Sequence, residues 1–341
     1  MMAKGVERVL AKLKLSIQDG KHYEALQMYR TLYFRYLSQK KFQDLENLMF
    51  DGAVIFFSNG EQHSGVDLAM LYLDTLKKSE VSPSDLHFSR LAELFSLIST
   101  ENPDRSRFVC ESIKWSGKGL RNVKAGHPDL HARLAQCCWN QGNYEESRYH
   151  FLRSNDSKAF ANMLTEFHLK KGLATEVDLF IAQAVLQSLC IQDQGFGKSL
   201  LVNYSLSHPA IGSSPPNQYP LLNFLWFVVM ALEQGRLSFF TVLVDKYSPS
   251  LARDPTYKEY VDRIAQIFFN VPPPVTSRGG IFENLLNTLM TGMDDTSDEE
   301  DDRAHFRVVD RKPSTSARNR PSQVRKPGTE MPKVVIDDDI D

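Results

Sequence analysis

Gly20-Lys21-His22-Tyr23-Glu24-Ala25-Leu26 and, far downstream, Gly142-Asn143-Tyr144-Glu145-Glu146-Ser147 are written in one grammar. In each, a glycine closes one helical pattern, an aromatic follows, and a small residue comes next within a turn. Glycine lets the chain turn at a helix end. The aromatic suits the crevice between two antiparallel helices, and the small residue permits their close approach. Working outward, Val6, Val9, Leu10, Leu13 and Ile17 form an apolar stripe at helical spacing that stops at Asp19-Gly20. A second stripe, Leu26, Tyr29, Leu32 or Tyr33, and Tyr36, runs through Tyr23 to Leu37. The same spacing predicts helices near 41–58, 62–78, 84–99, 104–116, 128–140, 143–154, 157–171, 174–191, 196–207, 219–234, 236–247, 255–270 and 279–291. Strand-like alternation is missing, and fifteen short helices are too many for a four-helix bundle. The expected fold is all-α: a right-handed α-solenoid of tetratricopeptide-like antiparallel helix pairs, repeating roughly every 40 residues.

With 341 residues, 42% of them hydrophobic, the chain can fill a core. A net charge of −2 gives no whole-molecule field that argues for nucleic acid or an anionic membrane. Cys110, Cys137, Cys138 and Cys190 form no C-x-x-C pair and read as reduced core thiols of a cytosolic protein. The start, with Glu7, Arg8, Lys12 and Lys14 interspersed, lacks the apolar run of a signal peptide. The most apolar stretch, Leu221 to Leu232 between Pro220 and Glu233, is too short to span a bilayer, which takes about 20 residues, and reads as a buried core helix.

Two places break the helical pattern. His208 to Asn217 carries three prolines and two serines and reads as a surface loop; Val271-Pro272-Pro273-Pro274 stops a helix and turns the final one back onto the body. Past Gly292, seven acids between Asp294 and Asp302 precede a stretch rich in Ser, Pro and Arg, so 293–341 reads as a disordered acidic-then-basic tail. Ser297, followed by Asp298-Glu299-Glu300, is a candidate for an acid-directed kinase within it.

Catalytic signatures do not emerge. Gly195-Phe196-Gly197-Lys198-Ser199 ends like a phosphate-binding loop, but Gln192 stands where its first glycine belongs, and a helical run rather than a strand precedes it. His127 and His131 lie four apart, yet Pro128 replaces the glutamate of a metalloprotease helix and instead suits a helix start. Glu145 and Glu146 read as a solvated shoulder. The expectation is a protein that is not an enzyme, with no catalytic, cofactor or metal residues. What rises above background is charge: residues 1–41 hold nine bases against three acids, with Lys4, Arg8 and Lys12 one helical turn apart on one ridge. Such a ridge suits an acidic protein partner.

Several stretches together resemble one family. They are Tyr23-Glu24-Ala25-Leu26-Gln27-Met28-Tyr29-Arg30-Thr31-Leu32 with Phe34-Arg35-Tyr36; Gly142 through Leu152; Pro220-Leu221-Leu222-Asn223-Phe224-Leu225-Trp226-Phe227; Arg253-Asp254-Pro255-Thr256-Tyr257; and Phe268-Phe269-Asn270-Val271-Pro272-Pro273 with Gly279-Gly280. Up to about residue 292 the chain resembles the Golgi-to-ER traffic protein 4 family of the tail-anchored membrane protein targeting pathway. The resemblance implies an α-solenoid scaffold whose N-terminal half, 1–155, docks the targeting ATPase through Arg8, Lys12, Lys14, Tyr29 and Arg30, with Asp74 as a regulatory contact. It implies that the C-terminal half, 156–292, holds a ubiquitin-like adaptor or ubiquitin-like chaperone scaffold near Pro215, Tyr219, Leu222, Trp226 and Phe240. The competing expectation is a tetratricopeptide-like subunit of a degradation or translation-initiation complex.

Overall fold

The computed structural model describes residues 2–212 and 217–273, without the side chains of residues 2–7 and 10. Pro215, the expected helix at 279–291, the tail with Ser297, and the side chain of Lys4 therefore lie outside the described residues. Fifteen helices follow in order: α1 Met2–Gln18, α2 His22–Ser38, α3 Phe42–Ser58, α4 Gln62–Lys78, α5 Asp85–Leu97, α6 Asp104–Ser116, α7 Pro128–Asn140, α8 Tyr144–Phe151, α9 Ser157–Lys171, α10 Val177–Cys190, α11 Gln194–Ser207, α12 Pro220–Gln234, α13 Leu237–Lys246, α14 Ser248–Leu251 and α15 Pro255–Phe269. A single 3-10 turn, Val123–Ala125, precedes α7, and no strand occurs among the described residues. The α14 turn and the 3-10 turn are the elements that periodicity did not reveal, being too short to show a period.

One turn repeats. After α1, Gly20 enters the left-handed region (φ 71°), and Lys21 N–H reaches back to the Ser16 carbonyl at 2.8 Å. After α7, Gly142 does the same (φ 76°), with Asn143 N–H on the Cys138 carbonyl at 2.9 Å. This six-to-one closure also ends α2, α3 and α10, through Lys41 to Tyr36, Glu61 to Phe56 and Asp193 to Ser188. It satisfies carbonyls that a helix end leaves open and sends the next helix back antiparallel. The residue after the turn starts the new helix; Asn143 and Asp193 cap theirs by accepting from Glu146 and Phe196 N–H.

Nearly every helix packs on its neighbour and, through most of the chain, on the next but one, which is the contact pattern of an α-solenoid. Close crossings need small residues. A Cβ on Gly52 of α3 would lie 2.6 Å from the Tyr29 ring and 2.8 Å from Leu68 Cδ1. The apolar interior forms two clusters, one from Leu13 to Cys138 and one from Ala135 to Ile264, overlapping in the α7–α8 hairpin. In the second cluster α10 is enclosed by α9, α11, α12 and α15, matching its lack of a polar face. Its buried Asp178 is paired with Arg253, and Gln187 Nε2 donates to Tyr260 Oη at 2.9 Å, so α15 folds back onto α10. The glycine-lysine-serine triplet sits inside α11, where Lys198 pairs with Glu233 at 2.6 Å. Within α12, Leu221, Leu222, Phe224, Leu225, Val228 and Val229 are core, and among the described residues no helix is long and apolar enough to cross a membrane.

Candidate partner-binding surfaces

The first surface is the outer face of α1 and α2. Arg8, Lys12 and Lys14 are exposed, and Leu13 and Ser16 on the opposite side of α1 are buried. Among the described residues no carboxylate pairs with Arg8, Lys12 or Lys14. On α2 the outward stripe is Tyr23, Gln27, Arg30 and Phe34, at helical spacing, with Tyr23 75% and Phe34 66% exposed. Leu15 adds a further exposed apolar group on α1. Large aromatics left in water on α2 and exposed cations on α1 are the composition of a docking face.

Other expected members behave differently. Tyr29 is 3% exposed, set edge-on to Phe56, and burial, with Asp51 nearby, pushes its hydroxyl up to about 12. It is core and offers a partner no surface, because position 29 belongs to the inward stripe with Ala25, Leu32 and Tyr36. Arg30 is exposed but already engaged. Its guanidinium grips Asp67 of α4 through two bonds of 2.9 and 2.8 Å, and that grip raises its pKa further. Asp74 accepts from Tyr33 Oη and pairs with Lys78 at 2.6 Å. Burial pushes the Asp74 carboxyl up, but the bonds from Lys78 and Tyr33 outweigh it and hold the group below its ordinary value. Asp74 is thus a half-exposed charge locked to α2 from α4, a polar strut between the two helices.

The second surface is the α12–α13 hairpin. Leu222 is fully buried and Phe240 is 3% exposed against Phe269, so both are core, not contact surface. Tyr219 and Trp226 are half-buried, and the Trp226 Nε1–H has no partner among the described residues. The outward apolar groups are ones that sequence reasoning missed: Phe227 and Met230 on α12, Leu237 and Val242 on α13. Since α12 is apolar on every side, no period could have told its inner face from its outer one.

Burial sets the state of several titratable groups in the interior. Burial holds His131 down at about 3, and holds His150 well below the ordinary imidazole value. His127 caps α7 ahead of Pro128, accepting the Asp129 N–H at 3.2 Å. No disulfide joins the four cysteines; Cys138 and Cys190 are buried, Cys110 and Cys137 half-buried. Glu145 is exposed as expected, whereas Glu146 is half-buried and turned toward α7, where Asn143 Nδ2 donates to it at 2.7 Å.

Residues 39–290 match the family model of Golgi to ER traffic protein 4, so α1 and α2 precede the matched region. The chain is 48% identical over 297 residues to the Golgi to ER traffic protein 4 homolog of Homo sapiens, covering 87% of this chain and 90% of that protein. To the Oryzias latipes homolog it is 49% identical over 298 residues, covering 87% and 92%. A crystal structure of C. therm. Get4 shares the fold with a TM-score of 0.70 at 23% identity, covering 85% of this chain and 96% of that one.

Proposed function

The chain belongs to the Golgi to ER traffic protein 4 family, and from that premise we propose that it is a cytosolic, non-enzymatic scaffold for tail-anchored membrane proteins. It bridges a ubiquitin-like adaptor or chaperone module and the targeting ATPase, and promotes handover of clients for insertion into the ER. The ATPase docks on the N-terminal half through Arg8, Lys12 and Lys14, with Tyr23, Phe34 and Leu15 supplying apolar area that basic residues alone lack. Arg30, on the outward stripe but tied to Asp67, and Asp74, tied to Tyr33 and Lys78, support this face. The C-terminal half holds the ubiquitin-like partner on the α12–α13 hairpin through Tyr219, Trp226, Phe227, Met230, Leu237 and Val242, together with the adjoining loop that contains Pro215.

The observation that carries the reading is the exposure of Arg8, Lys12 and Lys14 on α1, which have no carboxylate partner among the described residues, together with the exposed aromatics Tyr23 and Phe34 on α2. A desolvated aromatic beside a cation is worth more to a partner than to the free chain, since Tyr and Arg concentrate binding energy at interfaces. Holding two partners on one rigid body turns the second encounter into an intramolecular one, with an effective concentration reaching the millimolar range. If the basic face binds one ATPase conformation better than another, it also shifts that equilibrium by the difference in affinity.

The test is binding of purified full-length chain to the targeting ATPase across a salt series. Arg8→Glu with Lys12→Glu should weaken ATPase binding at least tenfold at low salt and leave ubiquitin-like adaptor binding intact; Phe227→Asp with Met230→Asp should do the reverse. Unchanged ATPase affinity in the first variant, or affinity in the unaltered chain that does not fall as salt rises, would overturn the assignment of the basic face.

A further inference from the structure

The α7–α8 hairpin carries a polar cluster that neither docking surface uses. Cys138 is buried in α7, while Glu146 and His150 stand one turn apart on α8, a spacing that puts both on one side of that helix. One ligand atom from each of the three residues lies within 4.8 Å of the other two. Each of the α8 members is held from behind. Asn143 caps α8 and also donates to the Glu146 carboxylate at 2.7 Å. His150 Nδ1 sits 2.9 Å from His131 Nδ1, and His131 Nε2 sits 2.9 Å from the Ala125 carbonyl. A carbonyl only accepts, so His131 carries its proton on Nε2, its Nδ1 accepts, and His150 donates from Nδ1. Neutral His150 is left with its lone pair on Nε2. An imidazole steadied through its far nitrogen by an outer hydrogen-bonded group is the support found behind metal-binding histidines.

We propose that Cys138, Glu146 and His150 form a binding site for a divalent ion of the zinc class, ligated by the Cys138 sulfur, a Glu146 carboxylate oxygen and His150 Nε2, with water completing the coordination. Thiolate, carboxylate and imidazole together are a zinc-type donor set, and a hard cation such as magnesium is disfavoured by the sulfur. Thiolate and carboxylate supply two negative charges against the ion's two positive ones. That balance matters because Arg153 and Arg105 lie close enough to disfavour a positive charge on His150. Burial, then the charge of Glu146, pushes the Cys138 thiol up, so the ion must displace the thiol proton: the S–H bond breaks, the S–metal bond forms, and the proton leaves to water. Cys138 belongs to the first apolar cluster, whereas Tyr144 and Phe151, on the helix that bears the other two ligands, belong to the second. A bound ion therefore braces the hairpin in which the two clusters overlap.

The experiment strips the purified full chain with a chelator and titrates it with Co²⁺, then Zn²⁺. One equivalent of cobalt should bind with a thiolate-to-metal charge-transfer band that zinc abolishes by displacement, and zinc affinity should rise about tenfold per pH unit while one proton is released. Cys138→Ser should remove the band, and Glu146→Gln, which keeps its bond from Asn143, should weaken zinc at least tenfold with an unchanged circular dichroism spectrum. Absence of the band, or zinc affinity unaffected by Glu146→Gln, overturns the site; the glutamine variant decides the matter if Cys138→Ser does not fold.

Discussion

Replacing Arg253 by alanine should cost the fold about 3 kcal/mol, the low end for breaking a buried ion pair. Arg253 lies between α14 and α15, and its Nη1 reaches both Asp178 oxygens, at 2.8 and 2.9 Å, while Nη2 donates to the Thr175 carbonyl at 2.9 Å. The Asp178 side chain is 1% exposed and that of Arg253 33%, so the arginine leads from solvent to a carboxylate that solvent does not reach. Two magnitudes compete. A surface pair would be worth about 0.2–1 kcal/mol, whereas removing one partner of a buried pair strands the other charge and costs about 3–5 kcal/mol. Partial exposure of the arginine selects the lower part of the second range. The assay is urea unfolding by circular dichroism, with amide exchange on α10 and α15 to locate the loosening, because a solenoid can lose one end before the other. Asp178→Asn in the same chain as Arg253→Ala should recover at least half of the loss, since a neutral amide strands no charge. A loss under about 1 kcal/mol in the single variant, or a double variant as unstable as the single, would refute the argument.

Three further outcomes follow from the geometry. His208 Nδ1 accepts the Ala210 N–H at 3.2 Å and its Nε2 donates to His168, whose own Nε2 donates to the Leu173 carbonyl; burial, then His168, holds His208 down at about 4. Below about pH 6.5 the unfolded chain takes up a proton that the folded one refuses, so stability is full above that pH and declines down to about 4, by about 1 kcal/mol at pH 5 once solvent screening is allowed for; His208→Gln should lack this part of the acid dependence, and an identical slope in both chains would refute it. Gly52→Ala should destabilise by about 1–2 kcal/mol, the clash with Tyr29 and Leu68 exceeding the gain in helix propensity of about 1 kcal/mol, and a stabilised variant in thermal melts would show that the crossing of α2, α3 and α4 yields easily. Arg30→Ala should weaken ATPase binding less than Lys12→Ala, because Asp67 already answers the Arg30 charge, and Asp67→Asn should strengthen it; titrations giving the opposite order would remove Arg30 from its supporting role.

The fold was legible where backbone chemistry leaves a residue signature. Gly20 and Gly142 announce the left-handed turn, yet the same turn after α2 and α10 is made by Lys40 (φ 55°) and Gln192 (φ 66°), residues that carry no such signature. The repeat is therefore more regular in the chain's hydrogen bonding than in its letters: among the described residues the closure follows α1, α2, α3, α7, α10 and α12, and glycine marks four of these six junctions. That is why helical periodicity, which depends on what each face packs against, recovered elements that motif matching could not.

The site was legible in part, and the reason divides cleanly between α2 and α12. On α2 the apolar stripe of Leu26, Tyr29, Leu32 and Tyr36 already placed Tyr29 inward, so periodicity and the contact role implied by family resemblance disagreed at one residue, and burial sides with periodicity. The aromatics that periodicity leaves over, Tyr23 and Phe34, are the ones in water. On α12 the sequence offers no remainder of that kind, since Leu221 through Leu232 holds a single polar residue, Asn223. There the outer face emerges only after α10, α11 and α13 have claimed the other sides, and what they leave uncovered is Phe227 and Met230. A helix that spends most of its apolar surface on its own core and still presents a phenylalanine and a methionine to water keeps an unsatisfied hydrophobic contact in the isolated chain. With Phe227 37% and Met230 43% exposed, burying what remains of the two side chains against a partner returns about 1 kcal/mol each, so binding at the α12–α13 hairpin as proposed should hold through packing and be insensitive to the salt that should loosen the basic face.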